Sequence, residues 1–167
     1  MATITTTVTT GTGTGIDLDA IWATLQGEPA IEALEELIPV MERHLAVRDA
    51  VLLAIIDDAM PRGLFDAAVE RPGGATLGFV GRRMDDLRMG RRRLDVTRAQ
   101  SYAAAFGLAY GHRQSATAAA MAGYLHWIAG DVAGASRWSR TALGIDPRCT
   151  LPALVIAAAD HGIRWLC

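Results

Sequence analysis

The sequence contains no lysine and no asparagine, so each of its 16 basic residues is an arginine. Arginine chosen for bidentate contacts explains single positions but not the complete loss of lysine, which indicates the compositional bias of a GC-rich genome. Aromatic residues are also scarce, at 6% of the 167 residues, whereas apolar residues make up 51%. The core is therefore expected to consist of Ala, Leu, Ile and Val, a composition that favours close packing of helices.

Cysteines and long apolar runs are equally sparse. Cys149 and Cys167 are the only cysteines, so a disulfide framework is not expected. No run of 18 apolar residues occurs, which argues against a transmembrane helix. The N-terminus lacks the charged and apolar segments of a secretory signal. These absences predict a cytoplasmic protein with reduced thiols and no membrane partner.

Charge is divided unequally along the chain, although the net charge is only -2. Residues 1–70 contain 12 acidic residues and three arginines, and residues 71–167 contain 13 arginines and six acidic residues. The two halves either attract each other, within one fold or across a dimer, or present a basic face to an anionic partner. The near balance of -9 and +7 favours the first interpretation.

The first fifteen residues contain eight threonines, and the rest of the chain reads differently. Residues 1–15 are expected to form a flexible tail, or a strand that adds to the sheet edge of a partner, because Thr, Ile and Val favour extended backbone. Residues 16–167 are predicted to form a single all-helical domain of about nine helices. Within it, Pro39 should end or kink a helix, Arg48 should open a strongly apolar helix that is central to the core, and Gly111 should break another.

The segment from Ser115 to Ile163 has the pattern of a helical hairpin followed by a third helix. A Gly-Asp turn separates the first two helices, and an Asp-Pro stop ends the second. Small residues occupy the positions where the two helices would touch, namely Gly123, Ala135 and Ala142. This spacing is typical of a tetratricopeptide-like unit, which needs neighbouring helices to cover its apolar face. Such units bind other proteins more often than they form catalytic clefts.

Four strings carry a family resemblance: VRDAVLLAI, WIAGD, ASRWSRTALGIDP and LVIAAADHGI. Together they resemble the C-terminal region of an actinobacterial family of unknown function that also occurs in actinophages. The resemblance covers about residues 45–167, except for the stretch from Arg82 to Arg98, and the N-terminal α/β part of that family has no counterpart here. It implies a helical, repeat-like module, here a short helical array ending in a tetratricopeptide-like hairpin, and no activity or catalytic residue carries over from the family.

The stretch from Arg82 to Arg98 holds seven arginines against three aspartates. Helical spacing allows these charges to pair with one another, and the favoured interpretation is a solvated, salt-bridged face that complements the acidic half. The alternative is a contact with nucleic acid, since phosphates attract clustered arginines. No aromatic residue is interleaved for base stacking, which weakens that alternative. The candidate contacts to an anionic partner are Arg88, Arg91, Arg92 and Arg93.

Catalytic and metal-binding patterns are not found in the sequence. The four histidines are scattered, and the pairs Asp57-Asp58 and Asp85-Asp86 point about 100° apart on a helix, which is unsuited to an acid–base dyad. No nucleophile elbow occurs. The sequence therefore predicts no catalytic residue, no cofactor and no metal. The candidate interface is Trp138, Trp165 and Leu166, and the last two are the stronger candidates because a chain end is seldom deeply buried. The alternative is that the tryptophans pack in the core and at helix ends.

Taken together, these patterns predict a non-enzymatic protein-interaction or scaffold module. Its partner is an unidentified protein or a second copy of the same chain. The alternative function is association with nucleic acid through the arginine-rich stretch.

Overall fold

The computed structural model describes residues 15–165, without the side chain of Leu77, and in this part of the chain it contains nine helices and no strand. The all-α class predicted from the sequence is confirmed. The Thr-rich tail lies outside the described residues, apart from Gly15. The helices are α1 Leu18–Leu25, α2 Ile31–Arg43, α3 Leu45–Ile56, α4 Arg62–Glu70, α5 Gly74–Arg88, α6 Val96–Arg113, α7 Ala116–Ile128, α8 Val132–Ile145 and α9 Thr150–Asp160.

Helix α3 is the most enclosed of these helices. Nine of its 12 residues are buried, and the apolar ones surround the helix instead of forming one stripe. A helix that is apolar on every side is stable only when other elements cover it completely. Helices α2, α4 and α6 pack against it. A single hydrophobic cluster includes residues from each of α1 to α9.

From α6 onward, each helix packs against the next one in the chain, and α9 also contacts α7. Helix α5 is attached more loosely. It packs mainly on α4, and among its described side chains only those of Arg83 and Leu87 are buried. The structure is thus dense around α3 and in the α6–α9 layer, and sparse at α5.

Helices α7 and α8 approach each other closely at Gly123. A Cβ atom on Gly123 would lie 2.7 Å from Ser139 Oγ and 3.3 Å from the carbonyl oxygen of Ala135, closer than side chains normally pack. Gly123 and Ala135 are buried, as is Ala142. The small residues predicted from the hairpin pattern therefore do lie in the interior. Ser139 belongs to the same contact and was not anticipated.

The prediction that Pro39 ends or kinks α2 is wrong about the end, because one helix runs from Ile31 to Arg43 with Pro39 inside it. Proline has no N–H, so the carbonyl of Glu35, four residues earlier, loses its usual helical donor. The guanidinium of Arg113 replaces that donor, with Nη1 2.6 Å from the Glu35 oxygen. A hydrogen bond from α6 thus satisfies the Glu35 carbonyl, which the proline in α2 leaves without a donor.

Two other helix boundaries differ from the predictions. Helix α3 begins at Leu45, before Arg48, because the extended backbone of His44 separates it from α2. Helix α6 continues past Gly111 to Arg113 and ends where Gln114 takes a left-handed conformation with φ of 50°. Glycine costs a helix only about 1 kcal/mol, which the packing of α6 against α2 and α7 offsets.

Candidate interaction surface

The arginine-rich stretch encloses the C-terminal end of α3 instead of forming one open basic face. Asp57, the residue that comes directly after α3, is buried and forms an ion pair with Arg83, which is also buried. Nη2 of Arg83 donates to the carbonyl of Ala59 at 2.5 Å. Cations are favoured at helix C-termini because the carbonyls there carry partial negative charge. This contact shows the acidic half and the basic half pairing inside the fold.

Arg98 and Arg92 add to the same cluster. Arg98 donates to the carbonyls of Leu25 and Ala54, at the ends of α1 and α3, and its guanidinium stacks 5.6 Å from the ring centre of Tyr102. The Nε atom of Arg92 is buried 4.0 Å from the Asp57 carboxylate. Arg92, predicted as a contact for an anionic partner, is therefore partly used inside the fold.

The remaining predicted cations lie at the surface, where acidic residues partly neutralise them. Arg88 lies 3.8 Å from Asp85, and Arg91 lies 2.8 Å from Asp86. Arg93 is exposed and forms no ion pair with the described residues. The structure thus places Arg88, Arg91 and Arg93 in one region but leaves little uncompensated charge there.

The predicted aromatic interface is rearranged. Trp165 is only 8% exposed, so the expectation of an exposed chain end is wrong for this residue. Its ring packs edge-on against Trp127, with centroids 5.7 Å apart, because the segment after α9 folds back over α7. Trp138 is half-buried: it packs on Tyr110 and lies over Gly107, where a Cβ atom would be 2.9 Å from the indole. Leu166 lies outside the described residues.

Two ionisable side chains in the C-terminal third, His126 and Cys149, interact with other groups of the fold. Nδ1 of His126 lies 2.9 Å from Asp131, which also caps α8 by accepting from the N–H of Gly134. Burial raises the pKa of the Cys149 thiol, although Arg48 nearby opposes the shift. A raised pKa leaves less thiolate at neutral pH. Within residues 15–165, no three His, Cys, Asp or Glu side chains form a group that could hold a metal ion.

A groove that the sequence did not reveal lies at the opposite end of α3. Its volume is about 590 Å³, and we call it the junction groove because helix ends form its walls. The walls are the end of α2 at Glu42, the start of α3 at Leu45 and Arg48, the α6–α7 turn at residues 113–117, and the α8–α9 turn between Ile145 and Thr150. Helix α3 has 12 residues and is about 18 Å long, so the groove is well separated from the arginine cluster.

The junction groove combines apolar and charged side chains. Leu45 and Ile145 are large apolar residues that are 58% and 45% exposed. Arg48 is almost fully buried, and its Nε and Nη2 both donate to Asp49 Oδ1, at 2.9 and 2.7 Å. Ser115 caps α7 and donates to the Glu42 carboxylate at 2.6 Å. The hydrogen bond to Glu42 holds the turn between α6 and α7 against the end of α2.

Sequence reasoning missed the junction groove for a topological reason. The signals of its individual helix ends are readable, for example Ser115 as the N-cap of α7 and Asp146-Pro147 as the stop that ends α8. Nothing in the local pattern states that these helix ends, about thirty residues apart along the chain, lie side by side.

Comparison with protein-family models, with curated proteins and with solved structures finds no match to this chain. The resemblance to the actinobacterial family therefore stays a prediction. No helix in the described part of the chain is long and apolar enough to cross a bilayer.

Proposed function

We propose that this chain is a non-enzymatic protein-interaction module and that the junction groove is its binding surface. The observation that carries the proposal is the exposure of Leu45 and Ile145 at a concave site whose other lining residues are mostly charged or polar. Apolar side chains surrounded by polar ones are the usual composition of a protein-binding patch.

The rigidity of the groove supports the same proposal. Each wall belongs to a helix that is packed into the common core, and the α6–α7 turn is fixed by the Ser115–Glu42 hydrogen bond. A surface that is already ordered loses little conformational entropy when a partner binds, so more of the contact energy appears as affinity. The helical array would then serve as the scaffold that holds the groove open.

Quantitative affinity capture from a host lysate tests this proposal. The wild type is compared with Ile145→Glu, which places a charge in the groove, and with Leu108→Glu, a matched change at a residue 58% exposed on α6. We expect at least one protein to be captured by the wild type and by Leu108→Glu but lost with Ile145→Glu. Capture that is equal for all three chains, or absent for all three, would refute the groove as a binding surface.

Self-association is the second form of the proposal, with a second copy of the chain as the partner. Light scattering across a concentration series measures it directly. A mass that rises with concentration for the wild type, and that stays at one chain for Ile145→Glu, would identify the groove as the contact between copies.

Nucleic-acid association remains the alternative function, and the structure improves its test. Replacing Arg91, Arg92 and Arg93 together would disturb the buried cluster of Asp57 with Arg83 and Arg92. Changing Arg88, Arg91 and Arg93 to Ala avoids that cluster. Tight duplex or RNA binding that falls steeply with salt and is lost in this variant would favour the alternative.

A further inference from the structure

We propose that the outward face of α9 pairs with the same face of a second copy of this chain, with the two helices antiparallel. The inference goes beyond the proposed function, because this face is a second surface and Leu154 at its centre does not line the junction groove. Three features support it: the spacing of the exposed residues, the match of large and small side chains, and the order of charges around the two ends of the helix.

The exposed residues of α9 lie on one side of the helix. Its other side packs on α7 and α8, with Leu151, Pro152 and Val155 buried. Leu154 is 66% exposed, more than any other large apolar residue in the described part of the chain. The exposed residues recur every three or four positions, and they are Thr150, Ala153, Leu154, Ala157, Asp160 and His161. The outward face of α9 therefore has an apolar centre and polar ends, which is the composition of a protein interface.

The apolar centre of this face is complementary to itself. A two-fold dimer brings the same patch of both copies together, so each contact is made twice. In an antiparallel pair whose axis passes between Val155 and Ile156, Leu154 of each copy lies opposite Ala157 of the other. The small side chain of alanine leaves room for the leucine, so large and small residues alternate across the contact, as they do where helices interlock along a seam.

The order of charges along the chain favours a second copy as the occupant. Asp146 and Arg148 precede the helix, and Asp160 and Arg164 follow in the same order at its other end. Antiparallel pairing brings opposite ends together, so Arg148 of one copy meets Asp160 of the other, and Arg164 meets Asp146. In-register parallel pairing would instead bring like charges together.

These four charges make few contacts within one chain. Arg148 is 93% exposed and lies 3.5 Å from Asp146, an exposed pair that contributes little to stability. Asp160 and Arg164 are exposed and form no ion pair with a described residue. The dipoles of two antiparallel helices also attract each other, because each positive end lies beside a negative one.

The first test is sedimentation equilibrium of the intact chain over a concentration series. One pair of 11-residue helices buries less area than a standard interface, so we expect a reversible dimer with a Kd between about 10 μM and 1 mM. Leu154→Glu should weaken dimerisation at least tenfold, because it places a charge in the apolar centre of the contact. Leu108→Glu, the same change at a residue 58% exposed on α6, should leave the Kd within twofold. A wild type that stays at one chain up to about 1 mM would overturn the inference.

Charge reversal tests the direction of the two helices. Arg148→Glu creates two contacts between like charges in its own dimer, and so does Asp160→Arg, so each variant alone should dimerise at least about fivefold more weakly than the wild type. In a dimer of one copy of each variant, both contacts join opposite charges. An equal mixture of the two variants should therefore recover the wild-type Kd to within about twofold. Both substitutions are at exposed positions, and far-UV circular dichroism checks that the helix content is unchanged. A mixture that dimerises no better than its components would contradict the antiparallel arrangement.

Two further results would overturn the inference without touching the proposed function. If the wild type is monomeric and Leu154→Glu abolishes the capture of a lysate protein, the outward face of α9 binds a different partner. If dimerisation is lost with Ile145→Glu and kept with Leu154→Glu, the contact between copies lies in the junction groove.

Discussion

The guanidinium of Arg113 donates to the carbonyl of Glu35, the one group of α2 that Pro39 deprives of its helical donor. The two residues are 78 positions apart, so a proline in one helix is compensated by the C-terminal end of another. We expect Arg113→Met to destabilise the protein by about 1 kcal/mol, because a carbonyl in a helix then loses its partner. Urea denaturation measures the change.

If Arg113 compensates for Pro39, its loss should matter less in a chain that lacks the proline. Pro39→Ala restores an N–H that can donate to Glu35, so Arg113→Met should cost less than half as much in that background. Arg140→Met, a change at an exposed arginine of α8, should cost the same in both backgrounds. Equal costs of Arg113→Met with and without Pro39 would contradict this assignment.

The close contact between α7 and α8 predicts that Gly123→Ala is harmful although alanine is the better helix former. The added methyl group would meet Ser139 Oγ at 2.7 Å and the Ser139 nitrogen at 3.1 Å. Separating the helices should cost about 1–3 kcal/mol of unfolding free energy. Gly81→Ala, where a Cβ atom meets nothing within 4 Å, should stabilise by up to about 1 kcal/mol.

Ser139 provides the control for that contact. Its buried hydroxyl has no hydrogen-bond partner among the described residues, so Ser139→Ala alone should be neutral or stabilising. In the Gly123→Ala background, it should recover part of the lost stability, because it removes the nearest clashing atom. No recovery would mean that backbone contacts set the helix separation.

The Asp57–Arg83 ion pair predicts a non-additive pair of substitutions. Asp57→Asn leaves the Arg83 charge buried without its main counterion, and we expect a loss of about 3–5 kcal/mol in chemical denaturation. The double change Asp57→Asn with Arg83→Met should lose less than the sum of the single changes, since it removes both charges together. Additive losses would show that the pair does not act as a unit.

Stability at high pH should depend on Tyr124. Burial raises the pKa of its phenol, and the carboxylate of Asp49 raises it further. An unfolded tyrosine ionises at about pH 10, whereas Tyr124 in the folded protein ionises at a higher pH. The stabilising contribution of neutral Tyr124 is therefore complete below about pH 10 and is lost as the pH rises further. Tyr124→Phe should therefore lose less stability than the wild type between about pH 10 and 12. Parallel pH curves for the two chains would contradict this expectation.

The sequence was a good guide to features that depend on local pattern. Helical spacing predicted the all-α class, and the small residues of the hairpin predicted which positions of α7 and α8 are interior. It was a poor guide where a distant group changes a local outcome. Pro39 is tolerated because Arg113 donates to the Glu35 carbonyl, which Pro39 leaves without a helical donor, and Trp165 is buried where its ring packs against Trp127. The junction groove is formed by several segments that meet only in the folded protein, so its existence could not be predicted from the pattern of any one segment.

Helix α5 is fastened to the rest of the fold at few points. Among its described side chains only Arg83 and Leu87 are buried, and Val80 and Met84 are partly buried against the core, so its release exposes less apolar surface than the release of α3 would. Opening of such a segment requires less energy than global unfolding. Its amide hydrogens should then exchange with solvent well before those of α3, and a protease should cut there first, leaving the remainder of the array folded.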